Sequence, residues 1–475
     1  MTAVQGQSGQ GHPSQARSGA AETLGAIPAD LPSVDRLAVL PGGFAAGAMV
    51  AGIKASGRPD LGVIRTTHGP AAAAAVFTQH PFAAAPVALS RAHLLASAGE
   101  GAGGYGWAEA IIATSGCANA ATGTPGMADQ EEVGRLLAAA AGVPADRTLH
   151  LSTGIIGTRL PIDRIAAGLR SLVPAAILET DAAWEAVAVA LRTTDSRTKL
   201  ASTVIALPEA DGHTVRPVTV SGCAKGVGMI HPGMATMLSV ILTDAQVEPA
   251  LLHDLLRPAA ARTWNQLTVD GDTSTNDTVF VLASGASGTV TVRAGSDAAR
   301  QLGRAIEAVA RDLARQQAAD GEGATTLLTC QVSGALDDAD ARATARSVVG
   351  SSLVKAAAHG RDPNWGRIAA AAGNGRVADA AVLEAAGLAP GTARERAGRP
   401  VTLDPARLRI AIAGQLVFDG SAGGPVAFDR AAARATMDAE EILVRLDLGL
   451  GDGRGEAFGC DLTEEYVIEN AEYTT

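Results

Sequence analysis

The sequence predicts an α/β protein, and three observations carry that expectation. Short apolar runs of strand length recur along the chain, among them residues 110–114, 203–207, 237–242 and 278–283. Between them lie stretches with helical period, clearest at 298–317, where Leu302, Ile306, Val309 and Leu313 fall on one stripe. Glycine-rich and proline-bearing turns such as Gly57-Arg58-Pro59-Asp60 separate these runs, so strands and helices alternate instead of segregating.

In chain order, residues 1–36 are rich in Gln, Ser, Gly and Ala and read as a disordered tail, because they offer too little apolar surface to offset ordering entropy. Strands are expected at 74–78, 85–89, 110–114 and 149–151, and helices at 91–98, 127–141, 162–172 and 181–191. Residues 203–207 and 215–221 read as a strand pair, and 249–263 as a helix. Residues 270–277, dense in short oxygen-bearing side chains, miss the spacing of a calcium loop and read as a polar loop entering the strand at 278–283. A helix is expected at 337–358, a hairpin at 408–413 with 415–418, a helix at 430–439 and a strand at 441–446. A glycine-rich turn follows, and the strand-like residues at 466–475 suggest a terminus tucked into the fold.

Composition narrows the function. The 475 residues suffice for two or three core-bearing units, and 47% apolar with 18% charged residues is ordinary for a globular chain. A net charge of −11 without any basic stripe argues against nucleic acid as a partner. No uninterrupted apolar run reaches the roughly 18 residues that span a bilayer, so no membrane is expected either. The four cysteines form no Cys-x-x-Cys pair, which suits a reduced, cytoplasmic protein. No His/Cys cluster suggests a metal, and no phosphate loop or nucleophile elbow is present. Gly226-Val227-Gly228 fails the dinucleotide fingerprint, since His231 stands where the third glycine belongs. The expected cofactor complement is therefore none.

What remains is the stretch Lys225–Leu242. Its first part holds three glycines and a proline and cannot be regular helix or central strand. It feeds an apolar strand through Ala235-Thr236. A threonine hydroxyl needs a base beside it, and an N-terminal threonine can use its own α-amine, which titrates near ~8 in model peptides. Such a residue arises only if the Ala235–Thr236 bond breaks; a buried structural threonine is the competing reading.

Lys225-Gly226-x-Gly228-Met229-Ile230-x-Pro232-x-Met234-Ala235-Thr236-Met237-Leu238 closely resembles the self-processing motif of the ornithine acetyltransferase (glutamate N-acetyltransferase) family. The resemblance runs from about residue 38 to 475 and includes Gly52-Ile53-Lys54, Ser152-Thr153-Gly154, Thr194-Asp195, residues 320–325, 360–367 and the Glu472-Tyr473-Thr474-Thr475 end. It implies a layered α/β sandwich, like that of the self-cleaving β-aminopeptidases, with a smaller α/β subdomain at about 345–460. It further implies cleavage into an α part (37–235) and a β part (236–475), whose last segment returns to the active site. The two parts would assemble as a heterotetramer or larger. Thr236 would carry acetyl from N2-acetylornithine to glutamate, with acetyl-CoA an open question as second donor. Thr153 and Gly154 match the family's oxyanion hole; Thr194, Lys225, Thr236, Glu322, Asn470 and Thr475 match its substrate contacts. Four features depart from the family: Gly233 replaces the usual Asn, Thr114 to Asn119 differ from the usual Asn-rich segment, and the N-terminal tail and the loop near 208–213 are longer than typical. A hydrolase or a specialised paralogue with the same nucleophile is the alternative.

Overall fold

The computed structural model describes residues 31–209, 214–231 and 237–472. Ala235, Thr236, Gly233 and Thr475 lie outside the described residues, as do residues 1–30. Residues 33–36, expected in the tail, are held: Asp35 and Ser202 exchange backbone hydrogen bonds of 2.9 and 2.8 Å, and Arg36 pairs with Asp312 at 3.1 Å.

Ten strands build two facing sheets. In chain order they begin with β1 (Phe44–Met49), β2 (Leu61–Thr66), β3 (Ala71–Phe77), β4 (Tyr105–Ala108) and β5 (Ala110–Cys117). They continue with β6 (Thr148–Ile155), β7 (Lys199–Pro208), β8 (Val215–Lys225), β9 (Leu238–Thr243) and β10 (Thr278–Ala283). One sheet has the order β1-β2-β5-β6 and the other β4-β3-β10-β9-β8-β7. Strand alternation sorts their side chains. Ala71, Ala73, Ala75 and Phe77 of β3 join Leu238, Val240 and Leu242 of β9, Phe280 and Leu282 of β10 and Ile111 of β5 in a core between the sheets. Ala72, Ala74 and Val76, with Met237 and Ile241, face instead the helices Pro249–Arg262 and Asp297–Ala319. Val63 and Ile112 of the other sheet pack on the helices Gly123–Ala141 and Ile162–Ala175. The result is a layered α/β sandwich, helix–sheet–sheet–helix.

A third sheet, built from β11 (Leu327–Ala335), β12 (Arg409–Ile412), β13 (Gln415–Asp419), β14 (Gly424–Pro425), β15 (Glu441–Asp447) and β16 (Gly453–Cys460), has its own core around Cys330, Val332, Ile410 and Leu446. It meets the sandwich through Phe458, which joins the core of the Asp297–Ala319 helix.

Several local expectations are corrected. Residues 85–89 open a helix, Ala85–Ala98, in which Pro86 takes an early position where a missing N–H costs nothing. The helix expected at 337–358 is two, Asp338–Gly350 and Ser352–His359, because the Ser351 hydroxyl caps the second by accepting from the Val354 amide. The glycine-rich turn after β15 is present at 449–452 but leads into a strand that was not expected, β16, and the terminal stretch is a helix, Glu464–Glu472.

Candidate active site

A cavity of about 340 Å³ opens where β6, β8, the 193–196 turn, the loop before β10 and the terminal helix converge. Thr153, Gly154, Thr194, Lys225, Glu322 and Asn470 all line it, so six of the candidate residues are neighbours despite wide separation in sequence. Ala235, Thr236 and Thr475 fall outside the described residues. Met237, bonded to Thr236, is anchored: its carbonyl accepts from the Thr278 amide at 2.8 Å, and a Cβ placed on Gly226 would lie 3.3 Å from the Met237 Cβ.

The wall bearing Thr153-Gly154 is made by backbone. The strand expected at 149–151 runs further: β6 continues to Ile155 and pairs in parallel with β5 through a bulge opposite Cys117. Gly154 has φ +126°, and a Cβ there would collide with the Gly116 backbone, so only glycine fits. Asn276 locks this strand end to the other sheet by donating to Ser152 O at 2.8 Å and Ala118 O at 2.7 Å. Lys225 Nζ donates to Thr153 Oγ1 at 3.2 Å, which leaves the Thr153 hydroxyl proton available to a developing oxyanion.

The opposite wall is made by side chains. Glu322 accepts from Thr194 Oγ1 at 3.0 Å and from Asn470 Nδ2 at 2.9 Å. Gly228 leaves room for it: a Cβ there would overlap the Glu322 carboxylate and push it aside. Burial lowers the pKa of Lys225, and the Asp195 carboxylate opposes that shift. Burial would raise Asp195, yet the Lys199 and Lys225 ammoniums more than offset it and hold the carboxyl below the usual range. Burial pushes Asp277, immediately before β10, well above the usual carboxylate range, and its Oδ2 has no hydrogen-bond partner among the described residues.

The loop after β8 is held by Asp270 up to His231, the last described residue before 237. Met229 takes a left-handed φ of +52°, and Asp270 accepts from the Ile230 amide at 2.8 Å and from the Met229 amide. Burial, aided by Arg346, lowers His231 to about 4, so it is neutral at pH 7. The sequence missed Asn276, Asp277, Asp195 as an anchor, and Lys199. The oxygen-rich run at 270–277 was the signal for the first two; a lone lysine opening an apolar strand gave none for Lys199. Among the described residues no group of His, Cys, Asp and Glu could hold a metal, and no helix is long and apolar enough to cross a membrane. A second cavity of about 770 Å³ adjoins the first and shares Thr194 and Glu322 with it.

The model of the ArgJ family matches residues 45–475. The arginine biosynthesis bifunctional protein ArgJ of Synechococcus sp. is 44% identical over 436 residues, which cover 92% of this chain and 96% of the relative. Its Thermus thermophilus counterpart is 42% identical over 438 residues, covering 92% and 99%. Among solved structures, the arginine biosynthesis bifunctional protein argJ of Bacillus halodurans is 36% identical, with a TM-score of 0.43, and covers 50% of this chain and 99% of its own.

Proposed function

This chain belongs to the ArgJ family, acetyl-transferring enzymes of arginine biosynthesis, and we propose on that premise that it cuts itself at Ala235–Thr236. Thr236 then works as the nucleophile. In the cut, the Thr236 hydroxyl attacks the Ala235 carbonyl carbon, the acyl group moves from nitrogen to oxygen, and water hydrolyses the ester. The freed α-amine serves as base for the same hydroxyl, because near ~8 it is partly unprotonated at neutral pH.

In turnover, Thr236 Oγ1 attacks the acetyl carbon of N2-acetylornithine. The C–N bond breaks, the proton from the hydroxyl leaves with the ornithine α-amine, and an acetyl ester remains on Thr236. The glutamate amine attacks that ester and regenerates the hydroxyl. One α-amide replaces another, so the exchange needs no external energy source. Thr153 and Gly154 face the oxyanion of both tetrahedral intermediates. Lys225 meets the α-carboxylate of each substrate, and Glu322, ordered by Thr194 and Asn470, meets the ornithine ammonium. Thr475 completes the substrate contacts. The bifunctional designation of the relatives supports acetyl-CoA as a second donor.

The observation that carries this reading is the gathering of Thr153, Gly154, Thr194, Lys225, Glu322 and Asn470 around one cavity, beside the anchored Met237. Intact mass of purified protein tests it: two fragments are expected, the second beginning at Thr236 and gaining one acetyl group with N2-acetylornithine when glutamate is absent. A single unbroken chain that still transfers acetyl would refute the mechanism. Release of free acetate without glutamate would make the protein a hydrolase instead.

A further inference from the structure

Thr194, Lys225 and Glu322 come from a turn, a strand end and the stretch after a helix, and one buried ion cluster is built from the residues beside all three. Lys199, wholly buried at the start of β7, places its Nζ 2.7 Å from Asp195 Oδ1 and 2.6 Å from Asp320 Oδ2. Asp195 Oδ1 also accepts from the Gly226 amide at 2.8 Å, the residue after Lys225, and Asp195 Oδ2 from the Thr193 amide at 3.0 Å. Asp320 accepts from the Ser196 amide at 3.2 Å and from the Ser196 hydroxyl, and stands two residues before Glu322.

Stability alone is a weak reason for such a cluster, because well-packed apolar residues commonly serve a core as well as a desolvated ion pair does. Its charge has a direction, too. Two carboxylates against one buried ammonium leave an excess of negative charge beside Lys225, with Arg197 reaching Asp320 only from the solvent side at 3.8 Å. The groups facing Lys225 are Asp195, Lys199, Glu322 and Asp277, and Lys54 lies within reach of both Asp195 and Lys225. Burial and Lys199 drive Lys225 toward the neutral amine, while Asp195 and Glu322 oppose them. Lys54, itself lowered to about 8 by burial, is tied to Pro59 O and Ala190 O and does not substitute for Lys225.

We propose that Asp195 and Lys199 are positioning residues of this site: Asp195 keeps Lys225 cationic for the substrate carboxylate, and the cluster fixes the span between Lys225 and Glu322. The span matters because one zwitterionic substrate must meet both residues at once. This inference rests on the acetyl-transfer reading above. The two fail separately, since wild-type protein that takes no acetyl group refutes that reading before any cluster variant is compared.

The test is the pH dependence of single-turnover acetylation by N2-acetylornithine in wild type, Asp195→Asn, Lys199→Gln and Lys199→Arg. Removing the Asp195 anion should let Lys225 lose its proton earlier, so the alkaline limb moves down by about one pH unit. Removing the Lys199 cation should move the same limb up by about as much, and Lys199→Arg should leave it in place. Both charge-changing variants should also raise the half-saturating donor concentration about 10- to 100-fold, with a smaller change in the limiting rate. A purely structural cluster would lower the fraction of active enzyme and leave the limbs unmoved. Limbs that coincide with wild type, or that move the same way in both variants, overturn the proposal. If neither variant yields folded protein, competitive labelling of wild type with acetic anhydride decides. Lys225 should resist labelling until the pH is alkaline, and half-labelling below pH 7 overturns the proposal.

Discussion

The two walls of the cavity are built on different principles. The Thr153-Gly154 wall is set by a parallel ladder, a bulge and two glycines in contact, and its donors are a backbone strand end and one hydroxyl. The Lys225–Glu322 wall is set by side chains whose positions depend on charge. Backbone donors do not titrate and are fixed before substrate arrives, which suits a transition-state oxyanion. Side-chain charges answer to pH and salt, which suits recognition of substrates that differ in charge. Breaking the first wall should therefore lower kcat, and breaking the second should raise KM.

The largest effect is expected from Gly154→Ala. The new Cβ meets the Gly116 backbone at a left-handed φ that costs a side chain on the order of 1–3 kcal/mol, so the strand end must move. Acetyl transfer should fall about 100- to 1000-fold in kcat, the scale of losing an oxyanion donor, with KM for N2-acetylornithine little changed. Equal kcat in the variant, measured by steady-state assay, would remove Gly154 from the oxyanion wall.

Next comes Glu322→Gln. The amide retains the shape and one acceptor for Thr194 but loses the charge and faces Asn470 with one acceptor fewer. KM for N2-acetylornithine should rise about 10- to 100-fold, the range of a charge-assisted hydrogen bond, while kcat changes less. The rise should shrink as added salt weakens the wild-type interaction. A fall in kcat at constant KM would assign Glu322 to the chemistry and erase the contrast between the walls.

The contrast also explains what could be read without coordinates. The helix Asp297–Ala319 was legible because Leu302, Ile306, Val309 and Leu313 form a stripe that nothing interrupts. Strand β16 was not, because Gly453, Gly455 and Gly459 resemble a turn. The fold instead needs them where a Cβ would strike the backbone of Asp337, Ala341 and Arg342, or crowd the Thr268 and Val349 carbonyls. The terminal helix hid behind Val467 and Ile468, a β-branched pair that the helix leaves exposed. At the site, motif resemblance selected residues that could touch substrate. It was silent on Lys199 and Asn276, whose partners Asp320, Ala118 and Ser152 are brought to them only by the stacking of separate sheets and helices.

A smaller effect is expected where the Thr153-Gly154 wall is tied to the other sheet. Asn276→Ala removes both donations to Ser152 and Ala118, leaving two strand-end carbonyls without that partner, at about 1–3 kcal/mol for a buried group. The oxyanion strand should loosen, so kcat should fall about 10- to 100-fold with the Lys225 and Glu322 contacts intact and KM near wild type. A matching rise in KM would mean that Asn276 supports both walls equally.

The smallest effect tests charge behind the backbone-built side. Burial holds the Asp277 carboxyl well above the usual range, against Ser274 hydrogen bonds and the Lys225 ammonium that lower it. The folded state therefore binds this proton more tightly than the unfolded chain, whose aspartates titrate near ~3.9. Its contribution to stability is full below that value and is lost as pH rises through the folded pKa. A side-chain amide at this position has no proton to lose, so Asp277→Asn should gain steadily on wild type as pH rises above ~4. Urea unfolding at stepped pH measures the gap between the two proteins. A gap that stays constant across that range would mean Asp277 is already ionised in the fold, and charge would then lie behind both walls.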